Sequence, residues 1–301
     1  MLGRPSAGPT ARTAWSDPSP LRPLGPSPRR RAWQRIGVAL VALGLASGVL
    51  HGDAPSPPRG GHPSGASAPL GDADWRLTML DDFTGSTLDP ARWSTYTGRP
   101  VGQPLTWWRP ANVDVTGGVL QLSTTRQRDG VWHGGGISSA AEGGQAYGKW
   151  SVRFRAQSAP GVGYAVLLYP TGGAWPPEVD IAEDGGGDRD GYRSTLHYDA
   201  DNKTITRLLT GVDLSTWHTV SVVLQPGRIT YLVDEREWAV VETAHVPGVP
   251  MWLGIQTAAN ECTETGSSCV TDATPDTSTL EVDWVARYSH RDGLTRSAQS
   301  R

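Results

Sequence analysis

Three carboxylates, Glu178, Asp180 and Glu183, stand in the run EVDIAE, interleaved with Val179, Ile181 and Ala182. Asp184, Asp188 and Asp190 follow closely, so one short stretch of a chain that is only 19% charged gathers six acids. The apolar partners make the run strand-like, and in a regular strand side chains at i, i+2 and i+4 share a face. Glu178 and Asp180 then point the same way, with Ala182 next in line. One extra residue, a β-bulge, re-aims Glu183 to their side. Like charges this close cannot all ionise at ordinary pKa values, so at least one acid is expected to hold its proton near neutrality, as a general acid must. Two carboxyl groups about 5–5.5 Å apart, one nucleophile and one acid/base, cleave glycosidic bonds with retention. A straight strand would set Glu178 and Glu183 about 13 Å apart at Cα. The sheet that carries them therefore has to be concave.

The elements able to position such a run are strands. Residues 149–155, KWSVRFR, alternate Trp150, Val152 and Phe154 on one face with Lys149, Ser151, Arg153 and Arg155 on the other, the pattern of a half-buried strand. Val119–Ser123, Met251–Thr257 and Leu280–Tyr288 read as further strands, and Val220–Val233 as two strands joined at Gln225-Pro226-Gly227-Arg228. A turn at Asp234–Arg236 leads to another, Trp238–Val241. With 37 Gly and 24 Pro, long helices are disfavoured, and the one helical signal is a turn at Asp89-Pro90. An all-β chain follows, folded as an antiparallel two-sheet sandwich.

The net charge of −3 offers no basic field for nucleic acid. Thirteen Trp against two Phe suit flat, ring-shaped ligands, or a core in which Trp replaces Phe. Residues 1–35 are Pro- and Arg-rich and are not expected to fold, and 36–50 is an apolar run after arginines, read as a signal h-region or a signal anchor. The length of that n-region also admits a translation start downstream of Met1. Residues 51–73 read as a Pro/Gly/Ser linker, 74–290 as the folded domain and 291–301 as a tail. Export would leave the domain secreted, or tethered outside the membrane by 36–50. In that oxidising setting Cys262 and Cys269 are expected to form a disulfide, since a lone pair makes a poor zinc site. The run DGGGDRDG lacks the spacing of a calcium-binding EF-hand loop. A Gly-x-Ser-x-Gly elbow, a phosphate-binding Gly-Lys-Ser/Thr loop and His-Glu-x-x-His are all absent from the sequence.

The run EVDIAE resembles the Glu-x-Asp-x-x-Glu signature of glycoside hydrolase family 16, carried on a bulged strand of a β-jelly-roll with a concave substrate cleft. The resemblance continues in order through DDFTGSTLDPARW (81–93), GGVLQLST, YGKWSVRFR (147–155), TLHY (195–198), STWHTVSV, ITYLVDE and VDWVARY (282–288). It implies a retaining endo-glycosidase with Glu178 as nucleophile, Asp180 as assisting carboxylate and Glu183 as acid/base. Trp175, Trp108 and His197 are implied as substrate-binding residues. The bulged spacing resembles the β-1,3-glucanases of laminarinase type. Agar- or carrageenan-cleaving relatives, a transglycosylase and a non-catalytic carbohydrate-binding jelly-roll are the alternatives. No cofactor is required, although some family members hold a structural calcium at the position of Asp283. A polysaccharide is the expected partner, met by a monomer, with the membrane involved only through an uncleaved anchor. The sequence departs from the family at Pro177, where a Gly is usual, and in AVLLYP and HGGGISS, which lack the family's aromatic and Arg residues.

Overall fold

The computed structural model describes residues 62–100, 102–262 and 268–293; the leader, residues 51–61 of the expected linker and residues 294–301 of the tail lie outside them. The strands in chain order are β1 (Trp75–Asp81), β2 (Ser94–Thr95), β3 (Thr106–Trp108), β4 (Val113–Thr116), β5 (Val119–Arg126) and β6 (Trp132–Gly134). They continue with β7 (Gly136–Ser138), β8 (Gly148–Ala156), β9 (Val162–Pro170), β10 (Glu178–Asp184), β11 (Gly191–Tyr198) and β12 (Lys203–Thr210). The last are β13 (His218–Gln225), β14 (Arg228–Val233), β15 (Arg236–Glu242), β16 (Met251–Ala259) and β17 (Thr277–His290). Two sheets result, a jelly-roll-type sandwich. One runs β15-β14-β13-β8-β17-β5-β6-β3, with β1 on β17 and β4 on β5, and the other runs β12-β11-β10-β9-β16-β7-β2. All pairings are antiparallel except β3–β6, which is parallel. The helical signal at Asp89-Pro90 is a single turn, in which the Asp89 carbonyl accepts from the N–H groups of Arg92 and Trp93.

Alternation decides what each sheet buries. From β8, Trp150, Val152 and Phe154 enter the main core, where they meet Tyr164, Val166 and Leu168 of β9, Val179 and Ile181 of β10, and Leu253 and Ile255 of β16. The acidic strand β10 sits third from one edge of its sheet, between β9 and β11. Its odd-numbered apolar residues anchor it to the core, which leaves the outer face of that sheet for Glu178 and Asp180. The disulfide between Cys262 and Cys269 closes the loop after β16. There Ser268 Oγ accepts from the Gly161 N–H and Asn260 Nδ2 donates to the Gly185 carbonyl, tying the loop to the ends of β9 and β10.

The other sheet is covered on its outer face by the chain itself. The expected linker ends early, because from His62 onward the segment lies on β8 and β17. The Trp284 indole donates to the Ala66 carbonyl at 2.8 Å and the Tyr288 hydroxyl to the Pro69 carbonyl at 2.8 Å. Ala68, Trp284, Ala286 and Tyr288 form a second small core there, with Trp75, Leu77 and Leu80 packed against it. Covering explains why the polar face of β8 is less exposed than its alternation suggests. Lys149 and Ser151 are buried, Lys149 paired with Glu235 and Ser151 bonded to Ser221. Removing residues 1–70 is therefore expected to lower unfolding free energy by about 2–4 kcal/mol, the cost of partly re-exposing two large aromatic rings. Denaturant melts of the full and shortened chains measure it.

Candidate active site

The bulge that the acid spacing requires is present in β10. Against β11, Glu178 pairs with His197 and Asp180 with Thr195, but the next partner of β11, Arg193, meets Glu183. Against β9, the register likewise slips between Asp180 and Ala182. Ile181 and Ala182 thus both belong to the core, and Glu183 returns to the side of Glu178 and Asp180. Opposite Glu183 on β9 stands Ala165, a side chain small enough to leave space above it.

All three acids are at most 3% exposed. Each has one defined partner on the same face. The Trp175 indole Nε1 donates to Glu178 Oε2 at 2.7 Å, His197 Nε2 bonds Asp180 Oδ2 at 3.1 Å, and Arg193 Nε donates to Glu183 Oε2 at 3.0 Å. Asn202 Oδ1 accepts from the other imidazole nitrogen, Nδ1, at 2.8 Å, which leaves both ring nitrogens of His197 bonded. Asp180 therefore serves His197 rather than sharing a hydrogen bond with Glu178, as its place between the two glutamates suggests. Glu178 Oε1 and Glu183 Oε1 are buried with no hydrogen-bond partner. Buried polar atoms in native proteins are almost always paired, so two orphaned oxygens on neighbouring acids mark where a ligand would complete the site.

Charge in this dry pocket is unevenly balanced. Burial raises the Glu178 carboxyl well above its ordinary value, and Asp180 raises it further, against the opposing pull of His197 and the Trp175 N–H. Glu183 is pushed up to about 7 by burial and then by Asp180, with Arg193 opposing. For His197, burial disfavours the cation, but the hydrogen bond and charge of Asp180, with Glu178 and Asn202 behind them, prevail and push it up to about 9. Three acids face two cations, so one proton held jointly by the glutamates makes the cluster neutral.

Around the acids the outer face of the sheet is aromatic. Trp175 and Trp252 pack on the buried group of Ala165, Leu167, Tyr169 and Ala258, and the Trp175 ring lies 5.9 Å from that of His197. A recess of about 300 Å³ opens beside Trp175, lined by Pro176, Pro177, Tyr198, Asp199, His245 and Pro247 among others. Tyr96 is buried close enough to Glu178 for the two to interact electrostatically. Two glycines make room for it: a Cβ at Gly136 would lie 2.4 Å from its ring and one at Gly254 2.7 Å from its hydroxyl. A larger cavity, about 500 Å³, lies on the other sheet among Gln121, Arg155, Gln157 and Glu281. Its groups bond one another, Gln121 and Arg155 both to Glu281, so it carries no comparable chemistry.

Of the residues expected from sequence, Glu178, Asp180, Glu183, Trp175 and His197 come together. Trp108 does not present its ring. It is 6% exposed, packs on Tyr96 at 4.8 Å and donates from Nε1 to the Thr257 carbonyl, so it backs the wall rather than faces the cleft. Asp283 lies on the other sheet, in β17, fully buried. Ser64 Oγ donates to its Oδ2, Arg153 Nε donates to Ser64 Oγ, and His62 Nδ1 stands 3.7 Å from its Oδ1. A guanidinium and an imidazole stand beside this carboxylate, and its Oδ1 is buried with no hydrogen-bond partner. Among the described residues no group of three or more His, Cys, Asp and Glu gathers to hold a metal. Arg193, Trp252, Tyr96 and Asn202 went unread in the sequence. Trp252 alone carried a usable signal, since the alternation of Met251–Thr257 sets it and Gln256 opposite the apolar Met251, Leu253 and Ile255.

The model of glycosyl hydrolases family 16 matches residues 103–286. The chain belongs to that family. Its relatives include the endo-1,3-1,4-beta-glycanase ExsH of Rhizobium meliloti (strain 1021), 24% identical over 215 residues, which cover 68% of this chain and 45% of that protein. The chain spans about half the length of the curated relatives it matches. The catalytic domain of an endo-1,3-beta-glucanase (laminarinase) from Thermotoga petrophila RKU-1 superposes with a TM-score of 0.65 at 20% identity, covering 72% of this chain and 99% of that one. An endo-beta-1,3-glucanase from Pyrococcus furiosus gives 0.63 at 22% identity, covering 72% and 95%. These structures share the fold of the family member described here.

The raised carboxyl also has a consequence for stability. Between about pH 4.5 and 7 the folded chain keeps a proton on Glu183 that the unfolded chain has released, so stability falls as pH rises through that window. His197 adds a loss between about 6.5 and 9, because its folded form binds the proton more tightly. Glu183→Gln should remove the first slope and raise the melting temperature relative to the unsubstituted chain at pH 8. Thermal melts of both proteins at pH 5 and pH 8 test this.

Proposed function

We propose that this family 16 protein is a retaining endo-β-glucanase, acting on β-1,3-linked glucan by double displacement. The observation that carries the reading is the pair of buried glutamates, each with one oxygen tied to the protein and the other free. Glu178 Oε1 is the nucleophile and Glu183 the acid/base. Oxocarbenium character at the anomeric carbon favours the Glu178 anion, which leaves the shared proton on Glu183. Glu183 then protonates the departing glycosidic oxygen while Glu178 bonds the anomeric carbon. In the second step water attacks that carbon, its proton passes to Glu183, and the bond to Glu178 breaks. Asp180 acts at one remove, keeping His197 protonated beside Glu178.

The β-1,3 linkage is supported by the bulged spacing in β10, by the laminarinase fold neighbours and by the mixed-linkage specificity in the name of the curated relative. The rings of Trp175 and Trp252 suit the apolar faces of glucosyl units. Export is supported by the apolar run 36–50 after arginines and by the disulfide, which belongs to an oxidising compartment. A purely carbohydrate-binding role is disfavoured by the same orphaned acids, since a binding site gains nothing from burying them.

Glu178→Gln and Glu183→Gln should each lower turnover of laminarin by about a thousandfold or more while leaving the fold intact. Reducing-end assays on laminarin, mixed-linkage glucan, agarose and carrageenan identify the substrate. Proton NMR of the first product should show the β-anomer, and an α-anomer would reject the double displacement.

A further inference from the structure

We propose that Arg193 is a positioning residue for Glu183, fixing the direction of its carboxyl and holding it ionised for the step in which water resolves the glycosyl-enzyme. This rests on the reading of Glu183 as acid/base. Arg193 is the residue that the bulge places opposite Glu183, and its Nε bonds Oε2 at 3.0 Å, so the free Oε1 is the oxygen aimed at the substrate. Without that bond a long side chain turned outward by a bulge would have its terminal rotation unset. The Arg193 side chain is 38% exposed and that of Glu183 3%, so the cation keeps more of its hydration than the carboxylate.

Among the described residues Arg193 is the cation bonded to Glu183, and the charge of His197 acts on it less. On the same strand, Glu178 and Asp180 are like charges, and Asp184 is paired with Arg189 at 2.7 Å. On β11, His197 is bonded to Asp180 and Asn202. On β9, the residue facing Glu183 is the uncharged Ala165. The charge count then gives Arg193 a role in each step. Before reaction, three acids with one proton balance Arg193 and His197. In the glycosyl-enzyme Glu178 is a neutral ester, so ionised Asp180 and Glu183 again balance the two cations, and Glu183 is ready as a base. Without Arg193 that intermediate carries an excess negative charge, and Glu183 keeps its proton when it needs to accept one.

The test compares Arg193→Met and Arg193→Lys with the unsubstituted chain. Removing the cation should move the alkaline limb of kcat/KM on laminarin up by about one pH unit and lower kcat, and Lys should restore most of both. A role confined to folding would lower activity without moving the limb. The carboxyl of Glu183, followed by carbon NMR of glutamate-labelled protein and assigned with Glu183→Gln, should titrate higher in Arg193→Met by the same amount. An unmoved limb, or an unmoved carboxyl resonance, overturns the proposal. The resonance needs no turnover, so it judges Arg193 even if laminarin is not cleaved, an outcome that would instead sink the functional reading.

Discussion

Burying three carboxylates side by side is the constraint from which the rest of the site follows. An isolated ionised acid in an apolar interior is prohibitively costly, and the remedies are protonation, pairing with a cation and direct hydrogen bonding. The protein uses all three. Arg193 pairs with Glu183, His197 with Asp180, and the Trp175 indole bonds Glu178, while one proton remains shared. The bonds from Trp175 and Arg193 each occupy one carboxyl oxygen and leave the other oxygen of each glutamate free. The arrangement that makes burial tolerable is the same one that leaves two oxygens for a ligand.

The bulge is where fold and chemistry meet. It costs β10 a regular ladder, yet it sends Ile181 and Ala182 into the core together and turns Glu183 outward. The neighbouring strands then supply complementary groups in register, charged on β11 and small on β9. A regular strand would have put Glu183 among the core residues Tyr164, Val166 and Leu168, away from Arg193.

The opposite sheet shows a structural solution of another kind. Asp283 is buried there too, but there Ser64 of an overlying segment of chain, itself bonded by Arg153, donates to its Oδ2. Carboxylates on the two sheets are thus stabilised differently: Asp283 by a segment of chain folded over its sheet, the others by side chains brought alongside them on the outer face of theirs.

The acidic run, its bulge, the alternation of β8 and the hairpin of β13 and β14 could all be read along the chain, because each is a pattern among residues a few positions apart. Trp108 and Arg193 could not. Whether an indole lines a cleft or backs its wall depends on Tyr96, which reaches it across space, and Arg193 becomes a partner of Glu183 only through strand register. The sequence by itself determined which acids would gather and that the strand carrying them must be irregular. Only the tertiary structure decided which oxygens are held, which are free and which cations face them, since those depend on contacts between strands that local periodicity does not encode.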